Sequence, residues 1–139
     1  MAIVHETIQI EADPRRVWDL AGDPGRIAEW VPALASSRAE GDERRCALAA
    51  GGELVERIVE RSEADRFYEY EIVDAPIPLR SYRSRLTVHG HDGHAHVDWI
   101  AEFEPQQAGQ EEQLAEMFAA TYRSGLEQLR ARLEAGEAT

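Results

Sequence analysis

Four histidines at alternating positions, His89, His91, His94 and His96, flank the dipeptide Asp92-Gly93. Imidazoles at such spacing are a chemistry in themselves, because neutral histidine nitrogens suit zinc, nickel or copper. The dipeptide between them decides where they point. Asp-Gly between alternating residues is the mark of a two-residue type I′ hairpin turn. With that turn, His91 faces His94, His89 faces His96, Thr87 faces Asp98 and Arg83 faces Glu102, all on one polar face. The opposite face pairs Val88 with Val97, Leu86 with Trp99, Ser84 with Ala101 and Tyr82 with Phe103. That second face must be the buried, concave one. The histidines then lie at a convex hairpin tip, far from any interior. A solvated polar tip is the better reading, with weak surface metal binding as the alternative.

The inward face carries the other chemistry. The same alternation on the preceding strand turns Tyr68, Tyr70 and Ile72 inward and Glu69 and Glu71 outward. Tyr70 and Tyr82 can hydrogen-bond a ligand carbonyl or phenol, and Ser84 is a further polar point of this face. The plainer reading is core aromatics with wet hydroxyls. No nucleophile stands out. Cys46 has only Arg44 and Arg45 as basic neighbours and reads as a strand residue, and no serine has a Gly-x-Ser-x-Gly setting. All fifteen basic residues are arginine. The lack of lysine excludes a Schiff-base lysine and a Walker-type phosphate lysine, and no glycine-rich phosphate loop is present. No cofactor is expected.

The elements that position these residues read clearly. Residues 3–10 form a strand with Val4, Ile8 and Ile10 on one face and Glu6 interrupting it. Asp13-Pro14 starts a short helix bearing Val17, Trp18 and Ala21, since aspartate caps a helix and proline fits its first position. Asp23-Pro24 starts a second, carrying Ile27 and Trp30 and ended by Pro32. From about Leu34 to Glu104 come six strands, divided at Gly41-Asp42, Gly51-Gly52, Ser62–Arg66, Ala75–Leu79 and Asp92-Gly93. A long helix follows, about Gln110 to Glu134, with Leu114, Met117, Phe118, Thr121, Tyr122, Gly125, Leu126, Leu129 and Leu133 on one face. Gly125 costs that helix roughly 1 kcal/mol against alanine, which implies close approach of another group. A curved antiparallel sheet wrapped round the long helix satisfies every element.

Composition sets the limits. A chain of 139 residues with 43% hydrophobic content is expected to be one domain, residues 1–139, its last few residues frayed. No apolar run approaches the roughly 20 residues of a membrane helix, no signal peptide is recognisable, and a lone cysteine permits no internal disulfide. A cytoplasmic location is expected. The net charge of -12 disfavours nucleic acid and anionic membranes. Oligomeric state is not legible.

These elements, with the residues IEADPRRVWDLAGDP, Trp30-Val31-Pro32, Glu56-Arg57-Ile58, the segment from Tyr70 to Gly90, Val97, Trp99 and Gly125 to Leu129, resemble the START/Bet v 1-like superfamily. The chain looks most similar to its polyketide cyclase/dehydrase and lipid-transport branch. The resemblance spans nearly the whole chain. It implies an α+β helix-grip fold: a curved seven-stranded antiparallel sheet around a long C-terminal helix, with two short helices between strands 1 and 2. The middle segment is also similar to plant abscisic acid receptors, in which the loops matching Leu48–Leu54 and Ala75–Leu79 close over the ligand. This chain departs from them in both loops and lacks their pocket lysine, so hormone sensing is not implied.

The resemblance further implies a deep, mostly apolar cavity and places Glu56 in it, with Leu54 and Ile58 as face-mates. Met117, Thr121 and Gly125 would line it from the helix. Trp99 would form wall, Trp30 would sit near the mouth, and Trp18 would pack behind the sheet. A carboxylate among apolar walls should have a raised pKa and can act as acid, base or acceptor. Alternatively, Glu56 pairs with Arg57 or another arginine at the sheet's rim. Three functions follow: a binder or carrier of a hydrophobic or aromatic small molecule, a cyclase/dehydrase-type enzyme using Glu56 with Tyr70 or Tyr82, or an accessory protein whose cavity is filled by side chains.

Overall fold

The computed structural model describes residues 1–135; the expectation of frayed terminal residues falls on positions 136–139, outside the described residues. The order is β1 (Ala2–Ile10), α1 (Pro14–Ala21), a 3₁₀ turn (Pro24–Glu29), β2 (Leu34–Glu40), β3 (Glu43–Leu48), β4 (Glu53–Ser62), β5 (Phe67–Asp74), β6 (Leu79–His91), β7 (His94–Pro105) and α2 (Glu111–Glu134), the last preceded by a 3₁₀ turn at Ala108–Gln110. The seven strands form one antiparallel sheet in the order β1-β7-β6-β5-β4-β3-β2. Strands adjacent in sequence are adjacent in space, except that β1 closes against β7.

Local signals explain the start of the chain. The Asp13 carboxylate accepts from the Arg15 backbone N–H at 2.8 Å, and the Asp23 carboxylate from that of Gly25 at 3.1 Å. Each satisfies a donor that a helix start leaves open. The second element closes as a 3₁₀ turn rather than an α-helix, ending at Trp30. Trp18 is buried, and its indole N–H donates to Glu63 at 2.6 Å, tying α1 to the β4–β5 turn.

The hairpin parity holds along its length. His91↔His94, His89↔His96, Thr87↔Asp98, Leu86↔Trp99, Ser84↔Ala101 and Tyr82↔Phe103 are the observed partners. Asp92 and Gly93 both take positive φ, 51° and 83°, as a type I′ turn requires. Every residue of the apolar face named above is buried. Glu6, the charge within the apolar face of β1, meets Arg123 of α2 at 3.2 Å. The core lies between the concave sheet face and α2, where Leu126, Leu129 and Leu133 are almost fully enclosed. Gly125 allows this approach. A Cβ there would stand 3.1 Å from Val31 Cγ2 and 3.4 Å from the rings of Trp30 and Trp99.

Candidate functional site

A cavity of about 280 Å³ lies between sheet and helix. Its wall is built by five parts of the chain. The segment after α1 supplies Ile27, Val31, Ala33 and Leu34; the β3–β4 loop region supplies Leu48, Ala50 and Leu54. Strands β4 to β7 supply Glu56, Tyr70, Ile72, Tyr82 and Trp99, and α2 supplies Met117, Phe118, Thr121 and Tyr122. Ile77 comes from the proline-bearing loop. Alternation puts the strand residues there, and a helical spacing of three and four puts Met117, Thr121 and Tyr122 opposite them.

Of the residues expected in the cavity, Glu56, Tyr70, Ile72, Tyr82, Trp99, Met117 and Thr121 lie on its wall, whereas Trp30, Tyr68, Ser84 and Gly125 do not. Each of the four is displaced for a physical reason. Trp30 is 1% exposed rather than at the mouth, because Gly125 admits its ring against the helix, where it also packs on Trp99 with centroids 5.3 Å apart. Those same contacts fill the space in front of Gly125. The Tyr68 hydroxyl is taken by Arg44 Nη1, which donates to it at 2.9 Å. Ser84 donates to the Ile100 carbonyl at 3.0 Å and accepts from Trp99 Nε1 at 3.1 Å, so it sits behind the aromatic wall.

Glu56 is not the isolated carboxylate that its apolar surroundings suggest. Arg44, its cross-strand partner on β3, is wholly buried and donates from Nε to Glu56 Oε1 at 2.7 Å. The partner is therefore neither Arg57, which pairs with Glu71 at 3.6 Å, nor a residue at the sheet's rim. Arg44 Nη1 also donates to the Pro24 carbonyl at 3.2 Å, and the guanidinium lies over the Tyr70 ring at 4.6 Å. Burial alone would lower the Arg44 pKa. The facing Glu56, Tyr68 and Tyr70 outweigh it and hold the group above its ordinary value. This arginine, bonded to the cavity residue Glu56, is the member of the candidate site that the sequence did not single out. The β3–β4 pairing of Cys46 with Leu54 carries Arg44 to the same face as Glu56, and no turn signal in the sequence gives that pairing.

The tyrosine hydroxyls of the wall, with Ser84 and the Trp99 indole, form a connected set of hydrogen bonds. The Tyr82 and Tyr122 hydroxyls are hydrogen-bonded, Ser84 Oγ lies 3.1 Å from the Tyr122 hydroxyl, and Trp99 Nε1 donates to the Tyr70 hydroxyl at 3.2 Å. Trp99 stacks flat on Tyr122 with centroids 3.9 Å apart. Burial, then neighbouring charges and phenols, pushes the Tyr70 hydroxyl up and that of Tyr82 well up. Tyr68 is pushed up to about 12, burial outweighing the opposing Arg44. These phenols stay protonated at neutral pH and are not placed to act as bases. Burial and the Glu56 charge raise the Cys46 thiol to about 12, against the opposing Arg44, which leaves it unfit as a nucleophile.

The histidines stand on the other side of the sheet. His89 Nε2 lies 2.8 Å from Asp98 Oδ2, His5 Nε2 lies 3.2 Å from Asp98 Oδ1, and His96 is bonded to Thr7. His91 and His94 meet edge to face at 5.6 Å. Among the described residues no three metal-ligating side chains converge. Burial would raise the Asp98 carboxyl, but the bonds from His5 and Thr7 and the facing His89 bring it below the usual carboxylate range.

No curated protein sequence matches the chain. The protein XoxI from Bacillus cereus superposes with a TM-score of 0.89 at 28% identity, over 96% of both chains. A Thermobifida fusca protein solved in solution gives 0.85 at 29% identity, over 97% of this chain and 95% of its own. A START superfamily protein from Mycobacterium smegmatis gives 0.79 at 11% identity, over 96% and 97%, a likeness of fold alone. The family model described as polyketide cyclase / dehydrase and lipid transport matches residues 1–134, and the chain belongs to that family.

Proposed function

We propose that the protein binds or carries a hydrophobic, largely aromatic small molecule in the cavity between its sheet and its long helix. One observation carries this reading: an open cavity of about 280 Å³ whose wall is aliphatic and aromatic, with the Tyr82 and Tyr122 hydroxyls bonded to each other and the Tyr70 hydroxyl accepting from Trp99. Small-molecule sites have this make-up, with a few placed polar groups in an apolar lining. A cavity of this size is not what a protein with a side-chain-filled interior would hold. The family description, which joins cyclisation, dehydration and lipid transport, is compatible with such a ligand. The strong negative charge supports a neutral small molecule over a nucleic acid as partner.

Native mass spectrometry of the freshly purified protein tests the reading. A bound species that leaves on denaturation is the expected result. Bare protein, together with failure to bind any of a panel of one- to three-ring aromatics, would overturn it. A second reading is catalytic, and Glu56 favours it: a carboxylate in an apolar cavity beside Tyr70 is placed for general acid–base work. Glu56→Gln separates the two, because unchanged turnover of a candidate substrate removes Glu56 from catalysis.

A further inference from the structure

Arginine and carboxylate side chains commonly meet through two parallel hydrogen bonds. Arg44 and Glu56 do not. Only Nε reaches Glu56, through Oε1, and Arg44 Nη2 is buried without an acceptor. Among the described residues no donor reaches Glu56 Oε2, and this atom is not among the fully enclosed ones that lack a partner. Glu56 itself lines the cavity at 4% exposure. The pair is thus turned so that one carboxylate oxygen is left free on the cavity side, at the expense of its second bond to arginine. An acceptor turned to a mostly apolar cavity with no protein donor is unfavourable unless a molecule in the cavity supplies one.

The identity of that donor is constrained by charge and size. Arg44 already compensates the Glu56 charge, so an ammonium ligand would add an unpaired positive charge to a dry site. A carboxylate ligand would meet Glu56 head on. A neutral hydroxyl, phenolic or alcoholic, fits both limits. As for size, a cavity of about 150 Å³ holds a benzene molecule. The present one, about 280 Å³, is nearly twice that, which encloses two fused rings and is too small to enclose a long polyketide chain or a diacyl lipid. Tyr70, Tyr82, Trp99 and Phe118 offer ring faces and edges for such a molecule.

We infer that the ligand is a neutral molecule of about two fused rings bearing one hydroxyl, which donates to Glu56 Oε2 while Arg44 holds the carboxylate in place. The inference rests on the binding reading above and narrows it to a chemical class.

Equilibrium dialysis at pH 7 with four probes tests it: 2-naphthol, naphthalene, 2-naphthoate and 2-naphthylmethylammonium. A hydrogen bond to a buried charged acceptor corresponds to about 10- to 100-fold in affinity, so 2-naphthol should bind that much more tightly than naphthalene, with both charged probes weakest. The double variant Arg44→Met/Glu56→Leu removes both charges together. It should bind naphthalene at least as well as the wild type and lose the preference for the hydroxyl. Equal binding of 2-naphthol and naphthalene by the wild type would overturn the inference and leave the binding reading intact. So would tightest binding of either charged probe, or a hydroxyl preference that survives in the double variant. No binding of any probe would overturn the inference, and if the purified protein also carries no ligand, the binding reading falls with it.

Discussion

Arg44→Met takes one cation out of the core and leaves its anion behind. The methionine fills much of the arginine's stem volume, so the change is mainly electrostatic. Three hydrogen bonds go: to Glu56 at 2.7 Å, to the Tyr68 hydroxyl at 2.9 Å and to the Pro24 carbonyl at 3.2 Å. The contact with the Tyr70 ring goes as well. Glu56, at 4% exposure, is then left with little solvent to replace its partner. Breaking a buried ion pair from one side costs about 3–5 kcal/mol. Glu56→Leu alone strands the arginine and should cost about the same. Removing both partners together leaves only the Tyr68 and Pro24 acceptors to account for, at about 1 kcal/mol each. The double variant should therefore be more stable than either single one, and the coupling energy should exceed about 3 kcal/mol. Urea denaturation followed by tryptophan fluorescence, with the slopes checked for constancy, measures all three. If Arg44→Met costs less than about 1 kcal/mol, or if the double variant's loss equals the sum of the singles, the pair is not the closed buried unit argued from its geometry.

Three further outcomes are expected. Burial would raise the Glu69 carboxyl, but hydrogen bonds from Arg85 and Arg83 hold it below the usual carboxylate range. A depressed folded-state pKa stabilises above the unfolded value and is lost as pH falls through the folded one. Glu69→Gln should therefore cost about 1 kcal/mol at pH 7, the arginines being half in solvent, and nothing well below pH ~4; a difference that persists in acid counts against the pairing. Tyr68, Tyr70 and Tyr82 have raised values, so their contribution is complete below the unfolded tyrosine value and lost as pH rises past it. Absorbance at about 295 nm should show little tyrosinate until the protein unfolds in alkali above about pH 10, and early ionisation without unfolding would contradict their burial. Cys46, 1% exposed and with its thiol raised to about 12, should react with a disulfide reagent only at the rate of unfolding; prompt labelling of the native protein would show the strand to be open there.

What was legible in the chain and what was not divides along turn chemistry. Asp92-Gly93 admits one turn of two residues, so every pair of the β6–β7 hairpin follows by arithmetic, from His91↔His94 to Tyr82↔Phe103. The β3–β4 connection is different. Gly51-Gly52 reads as a two-residue turn, yet β3 ends at Leu48, the loop runs to Gly52, and the observed pairs are Arg44↔Glu56 and Cys46↔Leu54. A two-residue turn at the glycines would shift the pairing by an odd number and put Arg44 on the outer face. The partner of Glu56 was hidden for that reason. Two register shifts between β4 and β5 interrupt the arithmetic again, at Val55/Glu56 and Ile58/Glu60. The helix face was legible from its spacing, but which of its residues meet the cavity was not. Met117 and Thr121 reach it; Gly125, on the same stripe, is closed off by Val31, Trp30 and Trp99. Only the packing of three distant segments decides that.

The notch at Gly125 also fixes how α2 can move. Three side chains from the 3₁₀ segment's end and from β7 fit against it, so the helix cannot slide along its axis without driving a larger residue into Trp30. Beyond the notch, Leu126, Leu129 and Leu133 are held on all sides, while Met117, eight residues before it, is 41% exposed. The helix is thereby a lever with its fulcrum off-centre. Eight residues span about 12 Å, so a tilt of about 5° at the notch carries the backbone at Met117 through about 1 Å. Any widening of the cavity by such a tilt would be angular, larger at Met117 than at Gly125.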